Sequence, residues 1–183
     1  MSRSTNSKNM VTAALCIALG LVLPFLTGQI PQIGRMLSPM HIPVFLCGFL
    51  CGWQWGLLAG CVTPLLRAVL FGMPALFPQA VAMAFELAVY GGVTGFLYPR
   101  LKTRNLAGIY MTLIAAMIAG RIVWGLVSFV LYGISGSAFT FELFLAGAFI
   151  NAIPGIILHL VIVPPLVMAL RKVLVTDDGV AHA

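Results

Sequence analysis

Acidic residues are scarce in this chain: four Asp and Glu in 183 positions, against ten Lys and Arg. Charged residues make up 8% and hydrophobic ones 61%. That leaves too little polar surface for a water-soluble domain, in which about a quarter of residues carry charge. No glycine-rich phosphate-binding loop is present, so the chain is not expected to hydrolyse ATP by itself. It has no internal repeat and no segment with the composition of a soluble domain. The basic residues form no contiguous patch of the kind a nucleic-acid face needs. The four cysteines, Cys16, Cys47, Cys51 and Cys61, all fall inside apolar runs. Cys47 and Cys51 share a helix face, but no His or acid follows at zinc-site spacing. They read as packing residues, and neither a metal nor a cofactor is expected.

What the sequence does have is long apolar runs. Breaks at Pro, Gly and polar clusters divide it into spans at about 10–26, 42–53, 56–71, 76–98, 106–132 and 141–170. This predicts an all-α integral membrane protein, a single domain over residues 1–183 built as a bundle of six transmembrane helices. The N-terminus has the basic start and apolar stretch of a signal peptide but no clear cleavage site, and it reads as an uncleaved first helix. Pro64, Pro154, Pro164 and Pro165 interrupt the helical runs, and a kink is expected at Pro64. Seven of the ten basic residues lie at Arg3 and Lys8, at Arg100, Lys102 and Arg104, and at Arg171 and Lys172. Six spans place all seven on one side, with Arg35 alone in a loop opposite. The excess of positive charge on inner loops then puts both termini in the cytoplasm.

Ionisable groups inside a membrane span cost ~2.5 kcal/mol or more at a helix centre, so each is a functional candidate. Here they are Arg67, Glu86, Arg121 and His159, with Asn151 as a neutral companion. By helix rise, Glu86, Arg121 and Asn151 each lie ~15 Å below the outer boundary, Arg67 ~6 Å and His159 ~27 Å. In the fourth span Gln79, Met83, Glu86 and Tyr90 share a face, as do Arg121, Trp124, Ser128 and Tyr132 in the fifth. Aromatics beside hydrogen-bonding groups suit a pocket for a small, partly polar ring compound. The candidate substrate-binding residues are therefore Glu86, Arg121, Asn151, Tyr90, Gln79, Trp124 and Arg67. The plainer alternative is an internal Glu86–Arg121 salt bridge that fixes helix packing. Equally, Arg67 has the option of snorkelling to the headgroups. Ala14 and Ala18, four apart in the first span, allow another helix to approach closely.

Taken with the stretch "PMHIPVFLCGFLCGWQWGLLAGCVTPLLRAVLFGMPALFPQAVAMAFELAVYGGVTGFLY", these features resemble the substrate-binding S components of energy-coupling factor (ECF) vitamin transporters. The resemblance covers essentially the whole chain. It implies capture of a water-soluble vitamin or precursor from outside, in a pocket of the outer half capped by loops. It further implies release inward with a transmembrane T component and two cytoplasmic ATPase subunits, in the cytoplasmic membrane of a bacterium or archaeon. The Ala14 and Ala18 face corresponds to the docking surface for the T component. Glu86 paired with Arg121 would leave Arg67 for a carboxylate and favour a pantothenate-like anion. Glu86 left to the ligand would instead accept from a ring nitrogen or hydroxyl, as in pyridoxine or a thiamine-precursor pyrimidine. Two other functions compete. "GISG" with Ser135, and His159 in the next span, is similar to the serine–histidine dyad of rhomboid proteases. Such a dyad needs hydrogen-bond reach, and the expected depths separate the two residues. The other is a solitary facilitator.

Overall fold

The structure, a computed structural model, describes residues 3–27, 37–102, 105–134, 136, 140, 145, 147 and 152–180, with side chains between residues 6 and 172. All regular elements among the described residues are helical. Helix α1 (Arg3–Val22) runs into a tight 3-10 turn, Leu23–Thr27. It is followed by α2 (His41–Cys51), α3 (Trp53–Phe71), α4 (Val81–Leu97), α5 (Leu106–Ile134) and α6 (Ile153–Val180). Among the described residues, five stretches are long and apolar enough to cross a membrane: Asn6–Leu26, Trp53–Phe71, Leu76–Arg100, Leu106–Ile134 and Ile153–Lys172. The exception is α2, whose 11 residues span about 16 Å by helix rise.

Local chemistry sets the boundaries. Gly52 parts α2 from α3 with φ at 90°, a backbone that a side chain would strain. Gly72 ends α3 in the left-handed conformation, with its N–H donating to the Ala68 carbonyl at 3.0 Å. Pro64 inside α3 cannot donate to the Gly60 carbonyl. A wide turn at Leu76–Ala80, with Phe77 extended, leads into α4.

The bundle has its apolar residues outside as well as in. Val11, Leu26, Val69, Leu126 and Ile134 are all exposed, as expected of a surface that meets lipid tails. Helix α2 is the exception again, because every residue except Leu50 is buried. It forms the axis of a core with Leu87 and Tyr90 from α4, Ile109 and Leu113 from α5, and Val163 and Val167 from α6.

Contact between α3 and α4 rests on missing side chains. A Cβ added at Gly56 or Gly60 of α3 would run into the carbonyls of Gly91 or Leu87 in α4. Added at Gly91 or Gly95, it would meet the Gly56 carbonyl or the Trp53 backbone. Two Gly-x-x-x-Gly motifs, with Gly56 and Gly91 meeting reciprocally, thus bring backbone against backbone.

Side-chain contacts order the helix ends. Arg67 Nη1 donates to the Leu21 carbonyl at 2.6 Å, and the Phe25 and Phe71 rings meet edge-on at 5.0 Å. The C-terminal ends of α1 and α3 are therefore together. At the other end, Phe49 packs on Tyr98 at 5.1 Å and Arg171 hydrogen-bonds the Tyr98 hydroxyl. That groups the C-terminal ends of α2, α4 and α6 beside Arg100 and Lys172.

Candidate functional site

Glu86 and Tyr90, one helical turn apart on α4, face inward and are each at most 2% exposed. The Tyr90 hydroxyl donates to Glu86 Oε1 at 2.7 Å, and Arg121 Nη1 of α5 reaches the same oxygen at 3.1 Å. One carboxylate oxygen thus holds two donors from two helices, and the charges of the ion pair cancel. Gly120 makes the approach possible, because a Cβ there would strike the Tyr90 ring. Burying two ions is costly unless they are paired and further hydrogen-bonded, and the Tyr90 hydroxyl supplies the additional bond.

A second layer of rings lies against Tyr90. Phe45 of α2 stacks on it with centroids 4.8 Å apart, and His41, at the start of α2, is tilted against it at 5.5 Å. His159 of α6 stacks on His41 at 5.5 Å and meets Phe45 edge-on at 5.6 Å. The Ser38 carbonyl accepts from His159 Nε2 at 3.2 Å and from the His41 backbone N–H at 3.0 Å. Ser38 itself has φ at 46°, an uncommon backbone for serine that turns this carbonyl toward both histidines. Four helices, α2, α4, α5 and α6, therefore converge on one buried polar and aromatic cluster.

The expected site residues divide. Glu86, Tyr90 and Arg121 come together. Trp124, half-buried one turn along α5 from Arg121, has Gly147 packed closely against its ring. Gln79 is half-buried and precedes α4, in the wide turn. Asn151 and Ser135 lie outside the described residues. Arg67 belongs to a different place. Its guanidinium bonds the end of α1 and lies 5.4 Å from the centroids of both the Phe25 and the Phe71 rings. The residue is 4% exposed.

His159 needs a correction. Counting from residue 141 puts it far below Glu86. The ring contacts place it otherwise: His159 is one ring away from Tyr90, through His41 or Phe45. His41 was missed in the sequence because it reads as the end of a polar, proline-containing connection. Its one signal was position: a lone histidine four residues before Phe45, at the start of an apolar helix.

Cys16, Cys47 and Cys51 are buried free thiols in an apolar cluster with Ala13 and Ala59, between α1, α2 and α3. Among the described residues no group of three or more His, Cys, Asp or Glu has a metal-holding arrangement. On the outside of α1, Ala14 and Ala18 are exposed, on a face shared with Val11, Leu15, Leu19 and Val22.

No curated protein and no solved structure matches this chain. The family model described as "ECF transporter, substrate-specific component" matches residues 8–167, nearly the whole helical region, and the chain belongs to that family.

Proposed function

We propose that this substrate-specific component captures a water-soluble vitamin or vitamin precursor from outside and passes it inward together with a T component and two cytoplasmic ATPases. The observation that carries the reading is the Glu86–Tyr90–Arg121 array, with three buried rings beside it, inside a bundle whose exterior is apolar. In a membrane interior a polar cluster of this size, drawn from four helices, is a candidate substrate site by its cost alone.

The topology proposed with it has six spans and both termini in the cytoplasm. Support comes from the ends of the bundle. The Tyr98–Arg171 contact sets Arg100, Lys102, Arg171 and Lys172 at one end, and Leu21 with Arg67 marks the other. Positive charge favours the cytoplasmic side. The end where α1 and α3 finish is then the outer one. Glu86, Arg121, Tyr90, Trp124, Gln79 and Asn151 remain the proposed ligand-facing set, while Arg67 is better read as a brace between α1 and α3.

The test is a thermal-shift screen of the purified protein in detergent against water-soluble vitamins and their precursors. A cognate ligand at a hundred times its Kd stabilises by about 2.7 kcal/mol, a shift of several degrees. If no compound in such a screen shifts the melting temperature, the vitamin-binding reading fails.

A further inference from the structure

Among the described residues, neither ring nitrogen of His41 has a partner at hydrogen-bond geometry, although the residue is 2% exposed. Its neighbours do not share this state. His159 bonds Ser38, while Tyr90 and Arg121 both bond Glu86. Buried polar atoms are paired as a rule, and an unpaired one calls for a cause. Three more buried polar atoms have no partner among the described residues, all on α5: Arg121 Nε and Ser128 Oγ, seven residues apart on one face, and Thr112 Oγ1 nearer the start of the helix. Three of these five atoms, the two His41 nitrogens and Arg121 Nε, belong to the cluster assigned above to the ligand. What stands around His41 is flat: the Tyr90 and His159 rings at 5.5 Å, with Phe45 stacked on Tyr90.

Charge narrows the ligand. Glu86 and Arg121 cancel each other at 3.1 Å. The guanidinium of Arg67, the other cation buried in the bundle, is taken up by the Leu21 carbonyl and two phenyl rings. Among the described residues, a carboxylate entering here would bring a buried negative charge with no cation left over for it. A neutral imidazole, by contrast, offers one donor and one acceptor. The edge of an uncharged nitrogen heterocycle answers both, and its faces suit the aromatic surfaces.

We propose that His41 is a substrate-binding residue of this protein, and that its site takes an uncharged, planar nitrogen heterocycle in preference to a carboxylate. The proposal rests on the reading of this cluster as the substrate site. Pantothenate-like anions are accordingly set aside, together with the role for Arg67 that would have favoured them.

The experiment is calorimetric titration of the purified protein in detergent with probes sorted by charge. The uncharged set is nicotinamide, pyridoxine, riboflavin and the hydroxymethyl-aminopyrimidine precursor of thiamine; the anionic set is nicotinate, pantothenate and biotin. A member of the uncharged set is expected to bind at least tenfold more tightly than any anion. His41→Phe, which keeps a flat ring, is expected to weaken that probe at least tenfold while the unliganded melting temperature stays the same or rises. His41→Gln, with a donor and an acceptor, is expected to retain part of the affinity. Tight binding of an anion alone would overturn this proposal and leave the substrate-binding reading standing. Unchanged affinity in His41→Phe, with a lowered melting temperature, would make His41 a packing residue and overturn it as well. Failure of every probe would count against the vitamin reading itself, and this proposal would fall with it.

Discussion

Glu86 Oε1 accepts from a phenol and a guanidinium at once, and that shared atom makes the three side chains one unit. Removing one partner of a buried ion pair leaves the other charge uncompensated, at a cost of about 3–5 kcal/mol. Glu86→Gln and Arg121→Met are each expected to lower the thermal stability of the unliganded protein by that order. The double variant should recover most of the loss, because both charges are gone. Additive losses across this cycle, measured by thermal unfolding, would show that the two residues are not coupled. Ligand titration separates structure from recognition: the double variant is expected to remain unable to bind. The relation of Glu86 to Tyr90 was legible in the sequence, since i, i+4 spacing on a helix leaves little freedom. Arg67 was not, because its partner carbonyl at Leu21 is 46 residues away and on another helix.

At the scale of elements, the α3–α4 pair shows how the site is held. Gly56 faces Gly91, Gly60 lies on the Leu87 backbone and Gly95 on that of Trp53, and Glu86 and Tyr90 stand on the same α4 that these glycines anchor. Neighbouring glycines differ sharply. A Cβ at Gly91 would meet the Gly56 backbone, whereas one at Gly92 would make ordinary contact with Leu57 at 3.8 Å. Gly91→Ala is therefore expected to cost about 1–3 kcal/mol through overpacking. Gly92→Ala should stay within about 0.5 kcal/mol of the parent or gain slightly from helix propensity. Equal melting temperatures for the two variants would rule out backbone contact as the basis of this interface. Both Gly-x-x-x-Gly spacings are visible in the sequence. That they face each other is not, because pairing depends on how two helices rotate about their axes.

For the whole molecule, the polar cluster is central and the exterior is apolar, so partners in the membrane must be met through shape. On α1, Ala14 and Ala18 are exposed and present a small-residue strip flanked by Leu15 and Leu19. A strip of this kind lets a second helix approach closely. Ala14→Trp is expected to abolish copurification with a T component while leaving the ligand-induced thermal shift intact. Copurification at the parental level would exclude this face as the docking surface. The two proposed surfaces are separable in this test, since the proposed substrate cluster draws on α2, α4, α5 and α6 and not on α1.

Composition and apolar run length were enough to establish a helical membrane protein, because lipid demands helices whose backbone is satisfied internally and whose exterior is apolar. Periodicity was enough to put Glu86 and Tyr90 on one face, because it follows from the geometry of a single helix. Tertiary structure alone decided which faces meet. It set the Arg67 guanidinium against the end of α1, brought the His159 ring against His41 and Phe45, and put His41 against Tyr90. These are contacts between segments distant in the chain, and they depend on close packing around glycines and on where the short α2 begins. No single-helix pattern carries that information.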